Sequence, residues 1–221
     1  MLKKYSAYLI LFSIFYYYYD FFNWYLSDGQ LQIEYAFLKG VLAFSVALIF
    51  IVYIHIVYFP ELTTTPLIPT FPPLIMLFSL NLGLGIGISN LYALQLYQLP
   101  SFLNSLRSLE LGLTIILISF TLVYLSVGKF RDHNEDPNPT TVTDMLITTG
   151  IFKYIRNPMY LALTLFQFGV GLALSFLHIS IMSLVTAIVL HYFVILKEES
   201  YLSIKFGERY KTYLKNTRRW I

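Results

Sequence analysis

The sequence predicts an all-α protein: a polytopic transmembrane helical bundle of about six spans, the last two forming a helical hairpin. Three observations lead there. Hydrophobic residues make up 57% of the 221 and charged residues only 12%, against about 25% charged in an average soluble domain. A soluble domain of this size needs more charge to cover its surface, so lipid is the natural solvent. Apolar runs of bilayer-crossing length, about 20 residues, recur along the chain. The 19 Tyr and 19 Phe also suit a membrane protein, because tyrosine settles at the membrane–water interface with its ring buried and its hydroxyl wet. Cysteine is absent, which excludes disulfides, thiolate catalysis and Cys-ligated metals.

The spans follow in order. Tyr5 to Trp24 is the first, weakened by Asp20 near its end. It follows Lys3 and Lys4 and is read as a retained anchor. The run Phe15-Tyr16-Tyr17-Tyr18-Tyr19 is too bulky for a signal-peptidase site. Ala36 to Tyr58 is the second, broken by Pro60. Leu74 to Leu94 is the third, entered through Pro66, Pro69, Pro72 and Pro73. Leu109 to Val127 is the fourth. A polar loop, Gly128 to Asn157, then precedes an apolar run from Met159 to Leu196. As one helix that run would measure about 57 Å, nearly twice the hydrocarbon thickness. It must fold back, and Ser175 to Ser180 is the expected corner. This divides the chain into an N-terminal region of four spans, 1–127, and a catalytic region of loop, hairpin and tail, 128–221.

Basic residues set the expected orientation. Lys129, Arg131, Lys153 and Arg156 lie in the loop; Lys197, Lys205, Arg209, Lys211, Lys215, Arg218 and Arg219 lie in the tail. A hairpin brings loop and tail to one side, and their charge puts that side in the cytosol together with both termini. The membrane is a bacterial inner membrane or the endoplasmic reticulum. Loop and tail should converge at the hairpin's mouth as a pocket for a soluble cosubstrate, open on its lipid side to an amphipathic partner. Nothing points to nucleic acid, and the oligomeric state is not encoded in any pattern.

The residues at that mouth carry a resemblance. The loop ends in Leu146-Ile147-Thr148-Thr149-Gly150-Ile151-Phe152, followed by Arg156-Asn157-Pro158-Met159-Tyr160; the tail has Glu198-Glu199, then Phe206-Gly207-Glu208-Arg209-Tyr210-Lys211-Thr212-Tyr213. In order and spacing this resembles the isoprenylcysteine carboxyl methyltransferase superfamily, which also holds phospholipid N-methyltransferases. The pattern there is Leu-Val-x-x-Gly-x-Tyr, Arg-His-Pro-x-Tyr, a hairpin, Glu-Glu and Phe-Gly-x-x-Tyr-x-x-Tyr. The likeness covers roughly residues 128 to 219 and leaves the early spans unmatched.

The resemblance implies a membrane methyltransferase that uses S-adenosylmethionine as cosubstrate and methylates a lipophilic or amphipathic acceptor on O, N or S. It implies Arg156, Asn157 and Glu198 as catalytic residues. The cosubstrate would be bound by Leu146, Ile147, Gly150, Phe152, Asn157, Pro158, Met159, Tyr160, Glu198 and Glu199. The chemistry is coherent. A carboxylate such as Glu198 can accept from the cosubstrate's ammonium or ribose, and an aromatic face such as that of Tyr160 attracts a sulfonium. Pro158 suits a first helical turn whose amides can face an anionic group. No metal is required, since positioning supplies much of the rate.

Three positions depart from the pattern: Asn157 stands for His, Phe152 for Tyr, and Val194 for the Arg with which the carboxyl-methylating branch holds its substrate. Two other readings compete. One is an NADPH-dependent membrane reductase like the sterol reductases, disfavoured by Leu161, Ala162 and Leu163 after the box and by the Glu-Glu pair. The other is a non-catalytic scaffold of the same fold. Asp132, His133, Glu135 and Asp136 are read as a solvated loop rather than a metal site. Gly83, Gly85 and Gly87 are read as helix-packing residues rather than a nucleotide loop. Phe206, Tyr210 and Tyr213 are read as an amphipathic face docked on the membrane surface.

Overall fold

The structure, a computed structural model, describes residues 2–27, 33–57, 70–138 and 141–221; for residues 2–8 and 33 it describes the backbone alone. The expected break at Pro60 and the prolines Pro66 and Pro69 lie outside the described residues. The described chain is helical: α1 Leu2–Ser27, α2 Ile33–Val57, α3 Pro72–Ile88, α4 Leu109–Asp132, α5 Pro158–Ala173, α6 Leu177–Leu190, α7 Leu196–Phe206 and α8 Glu208–Asn216. A π-helical turn, Ser89–Leu94, extends α3, and another, His191–Ile195, joins α6 to α7 without a break.

Among the described residues four helices are long and apolar enough to cross a membrane: Glu34–Val57, Pro72–Leu94, Leu109–Asp132 and Leu177–Phe206. Helix α5 is apolar but shorter. Helix α1 is 26 residues long and is not among the four. Its Asp20 is the reason it looked weak, and that carboxylate is paired with Lys39 of α2. Six helical segments therefore stand where six spans were expected, and four meet the length and hydropathy of a span.

Each helix end has a local cause. Phe71 is extended and Pro72 and Pro73 occupy the first turn of α3, where the missing N–H costs nothing. The Ser108 hydroxyl caps α4 by accepting from the Leu111 amide at 3.1 Å. Glu110 lies in its first turn and Lys129 and Arg131 in its last, complementing the helix dipole. The hairpin corner falls at Leu174–Phe176, with Ser175 at φ 55° and the Phe176 amide bonded back to Gly171 O at 2.8 Å. The turn is at the near edge of the expected stretch; His178 and Ser180 already lie inside α6.

The bundle has two poles. At the far pole Phe21 and Phe22 of α1 pack with Leu84 and Ile88 of α3 and with Phe176. There the Ser175 carbonyl accepts from Arg107 at 2.6 Å and from the Tyr25 hydroxyl at 3.2 Å, fixing the corner. Between the poles Gln167 of α5 is fully buried. It donates to Ile179 O at 3.2 Å and to Ser79 Oγ at 3.3 Å, and its carbonyl accepts from Thr186 at 2.6 Å. Satisfied polar groups of this kind hold transmembrane helices in register.

The glycines of α3 serve contact rather than ligand binding. A Cβ on Gly83 would lie 2.9 Å from the His178 carbonyl oxygen and 3.0 Å from Ile179 Cα, and one on Gly85 2.8 Å from the Phe44 ring. The neighbour of Gly83 is backbone and cannot swing away. We expect Gly83→Leu to separate α3 from α6 and cost about 1–3 kcal/mol, read as a lower melting temperature in detergent, with Gly128→Ala, which meets open space, as the unaffected control.

Candidate functional site

At the other pole, the start of α5, the π turn, α7 and the tail meet. The π turn matters to the geometry, because it inserts a residue into the ladder and turns α7 relative to α6. Beneath it Leu190, Val194 and Ile195 form an apolar cluster with Tyr160, against which Ile75, Leu163 and Trp220 pack. Val194 is therefore core, where the carboxyl-methylating pattern has a guanidinium.

Neighbouring residues on a helix point about 100° apart, and the two glutamates have different partners. Glu198 Oε2 accepts from the Tyr160 hydroxyl at 2.7 Å. Both oxygens of Glu199 are taken by arginines. Oε1 accepts from Arg156 Nε at 3.2 Å and Nη2 at 3.1 Å, and from Arg219 Nε at 3.0 Å; Oε2 accepts from Arg219 Nη2 at 2.7 Å. Arg156 Nη1 donates to Leu214 O at 3.0 Å and also to Thr217 O. Every nitrogen of the Arg156 guanidinium is thus used within the protein. The hydrogen bond to Glu199 holds the Arg219 guanidinium even more firmly in its charged form.

The tail closes on the loop as a strap. Ile155 and Arg218 form a parallel bridge. The Arg156 amide donates to Arg218 O at 2.8 Å, and Asn157 Nδ2 donates to Arg219 O at 3.0 Å. Thr217 Oγ1 donates to Lys153 O at 3.3 Å.

Two adjoining chambers result. The more polar one, about 90 Å³, is lined by Leu146, Ile147, Glu198, Glu199, Tyr210 and Tyr213, among others. The apolar one, about 300 Å³, runs between Phe71–Pro73, Val123 and Pro158–Leu163. Phe130, Asp136, Pro137, Asn138, Phe152, Arg156, Asn157 and Glu198 line both.

Of the residues expected at the site, Leu146, Ile147, Phe152, Arg156, Asn157, Pro158, Met159, Tyr160, Glu198 and Glu199 line one chamber or the other. Gly150 lines neither. It starts a 3₁₀ turn at φ 62° against the Lys129 side chain, a conformation that suits glycine.

The membrane-surface reading of Tyr210 and Tyr213 is overturned. Tyr210 is 2% exposed, and the Tyr213 hydroxyl donates to Phe152 O at 2.6 Å. Burial pushes both phenols above their ordinary pKa, so they stay protonated donors at neutral pH. Their three-residue spacing was the available signal, since it puts both on one helical face. The loop residues Asp136 and Asn138, not expected there, also line both chambers.

Groups of the kind that S-adenosylmethionine would need are present. A carboxylate is aimed into the cavity, an aromatic ring lies beside it, and a 16-residue helix starts at Pro158.

Residues 108–209 match the model of the phospholipid methyltransferase family. Among curated proteins none matches the sequence significantly. The matched stretch runs from the cap of α4 into α8 and includes both chambers' walls on the hairpin, the loop and α7. Over residues 108–209, a little under half of the chain, this membrane-type helical bundle thus carries a phospholipid methyltransferase-family domain.

Proposed function

We propose that the protein is an S-adenosylmethionine-dependent methyltransferase, site pole facing the cytosol, that methylates a lipophilic acceptor drawn from the bilayer. The observation that carries this reading is the pair of adjoining chambers, one richer in polar groups and one apolar, that share Glu198 and Asn157. When bound, the cosubstrate supplies a methyl group already activated on a sulfonium, so the protein's task is alignment and exclusion of water. Glu198 would accept from the ammonium or the ribose, a charge-assisted contact. The Tyr160 hydroxyl fixes the orientation of that carboxylate. Arg156, Glu199 and the strap position Asn157 and the start of α5; in this structure they serve the site through other residues.

An amine is the acceptor class that the charges favour. The ionic groups of the apolar chamber are Asp136, Arg156 and Glu198, and the guanidinium of Arg156 is already spent. With Glu198 assigned to the cosubstrate, the ionic group left to meet an acceptor is the Asp136 carboxylate, which attracts an ammonium and repels a carboxylate. Calorimetry on detergent-purified protein tests the cosubstrate half of this reading. Micromolar binding of S-adenosylmethionine and of its demethylated product, with none of NADPH, is the expected result. Binding of NADPH alone would replace it with the reductase, and binding of neither with a scaffold.

A further inference from the structure

The loop after α4 reaches the place where the two chambers join. Asp136, Pro137 and Asn138 line both of them, although Asp136 reads in the sequence as a solvated loop residue. Its position is enforced. The Glu135 carboxylate accepts from Thr143 Oγ1 at 2.9 Å and from the Asp144 amide at 3.0 and 3.1 Å, closing the loop on itself. Asp144 is in turn bonded to Lys205 of α7 at 3.2 Å, which ties the loop to the helix that carries Glu198.

Within the loop the Asp136 carboxylate is oriented by its own backbone. Oδ1 accepts from the Asn138 amide at 2.8 Å, the local turn that aspartate favours, and Pro137 between them restricts the backbone further. Oδ2 has no protein donor among the described residues. Its neighbours in the loop do not share this placement: Asp132 pairs with Lys129 at 2.7 Å, Asp144 with Lys205, and neither lines a chamber.

Resting on the reading proposed above, we infer that Asp136 is the acceptor-binding residue, its carboxylate holding the ammonium of an amphipathic amine at the junction of the chambers. Glu198 belongs to the cosubstrate side and Asp136 to the acceptor side. Methyl transfer forms an N–C bond as the C–S bond breaks; the electron pair stays on sulfur, and one positive charge moves from sulfur to nitrogen. The proton the amine must shed before attack, and any shed afterwards, goes to solvent through the open mouth. Carboxylates on both sides of the junction keep that charge matched throughout, whereas an anionic acceptor would face two like charges. Asp136 is exposed and among the described residues bonds only to its own turn, so replacing it should leave the fold intact.

The experiment uses the whole protein in phosphatidylcholine nanodiscs, with dodecylamine, dodecanol and dodecanoate as acceptor probes. Binding of each is measured in the presence of S-adenosylhomocysteine, for the wild type, Asp136→Asn and Asp136→Glu. Dodecylamine should bind the wild type and lose about tenfold in affinity in Asp136→Asn. Asp136→Glu should recover most of that loss. Dodecanol should bind all three alike. Affinity for S-adenosylhomocysteine and the melting temperature should not move. Equal dodecylamine binding by wild type and Asp136→Asn, or none by the wild type, overturns the assignment. A wild type that binds no S-adenosylhomocysteine fails at the earlier step and removes the functional reading itself. With radiolabelled methyl donor the same variants should show a raised KM for the amine and little change in kcat.

Discussion

Glu198→Gln is expected to weaken binding of S-adenosylmethionine by one to two orders of magnitude while leaving the protein folded. Glutamine keeps the shape of the side chain, and its carbonyl can still accept from the Tyr160 hydroxyl. What disappears is the negative charge. A hydrogen bond to a charged partner contributes about 1.5–3 kcal/mol, which is about ten- to 150-fold in affinity at 1.4 kcal/mol per decade. Stability should not suffer, because Glu198 sits beside Glu199 without a cationic partner of its own, and neutralising it removes a like-charge contact. Calorimetric titration with the methyl donor and a melting curve on the same sample separate the two effects. Tyr160→Phe is the companion variant. It keeps the charge and loses only the hydroxyl that orients it, so the loss should be smaller. Undiminished binding by Glu198→Gln would remove this carboxylate from the site.

Much of the architecture was legible from run lengths. An apolar stretch twice as long as a bilayer is thick has to turn back, and the corner at Ser175 lies within the stretch where the apolar pattern is interrupted. The glycines of α3 were legible as packing residues because they lack a strand–turn–helix context. The meeting of loop and tail was legible too, since Arg156-Asn157-Pro158 and Glu198-Glu199 flank the hairpin and its geometry brings them together. What covers a face was not legible. Periodicity identifies Tyr210 and Tyr213 as one side of α8, but says nothing of whether lipid or the Phe152 turn will lie against it. The Arg156 contacts to Leu214 O and Thr217 O leave no trace in residue type, because any residue offers a carbonyl. Asp136 was read as solvated for a related reason: an irregular loop has no period, and only the fold shows that it borders two cavities.

The different work of the two adjacent glutamates leads to the second large effect. Removing the charge of Glu199, as Glu199→Gln, leaves Arg156 and Arg219 close together without the carboxylate that neutralises them. Glu199 and the Arg156 side chain are 11% and 10% exposed, so water screens little of that repulsion. Breaking a buried ion pair by removing one partner costs about 3–5 kcal/mol. The expected result is a marked fall in melting temperature and release of the 217–220 strap, seen as proteolysis near the C-terminus, with donor binding lost in step. Arg219→Gln alone should cost less. Arg219 is the more exposed partner, at 34%, and Glu199 would keep Arg156. Combined with Glu199→Gln it should restore part of the lost stability, since one unpaired charge is then gone. A Glu199→Gln protein that melts like the wild type yet no longer binds the methyl donor would show the opposite division of labour, with Glu199 contacting the cosubstrate directly. The geometry argues against that outcome, because a carboxylate with both oxygens already accepting from two guanidinium groups has little left to offer a ligand.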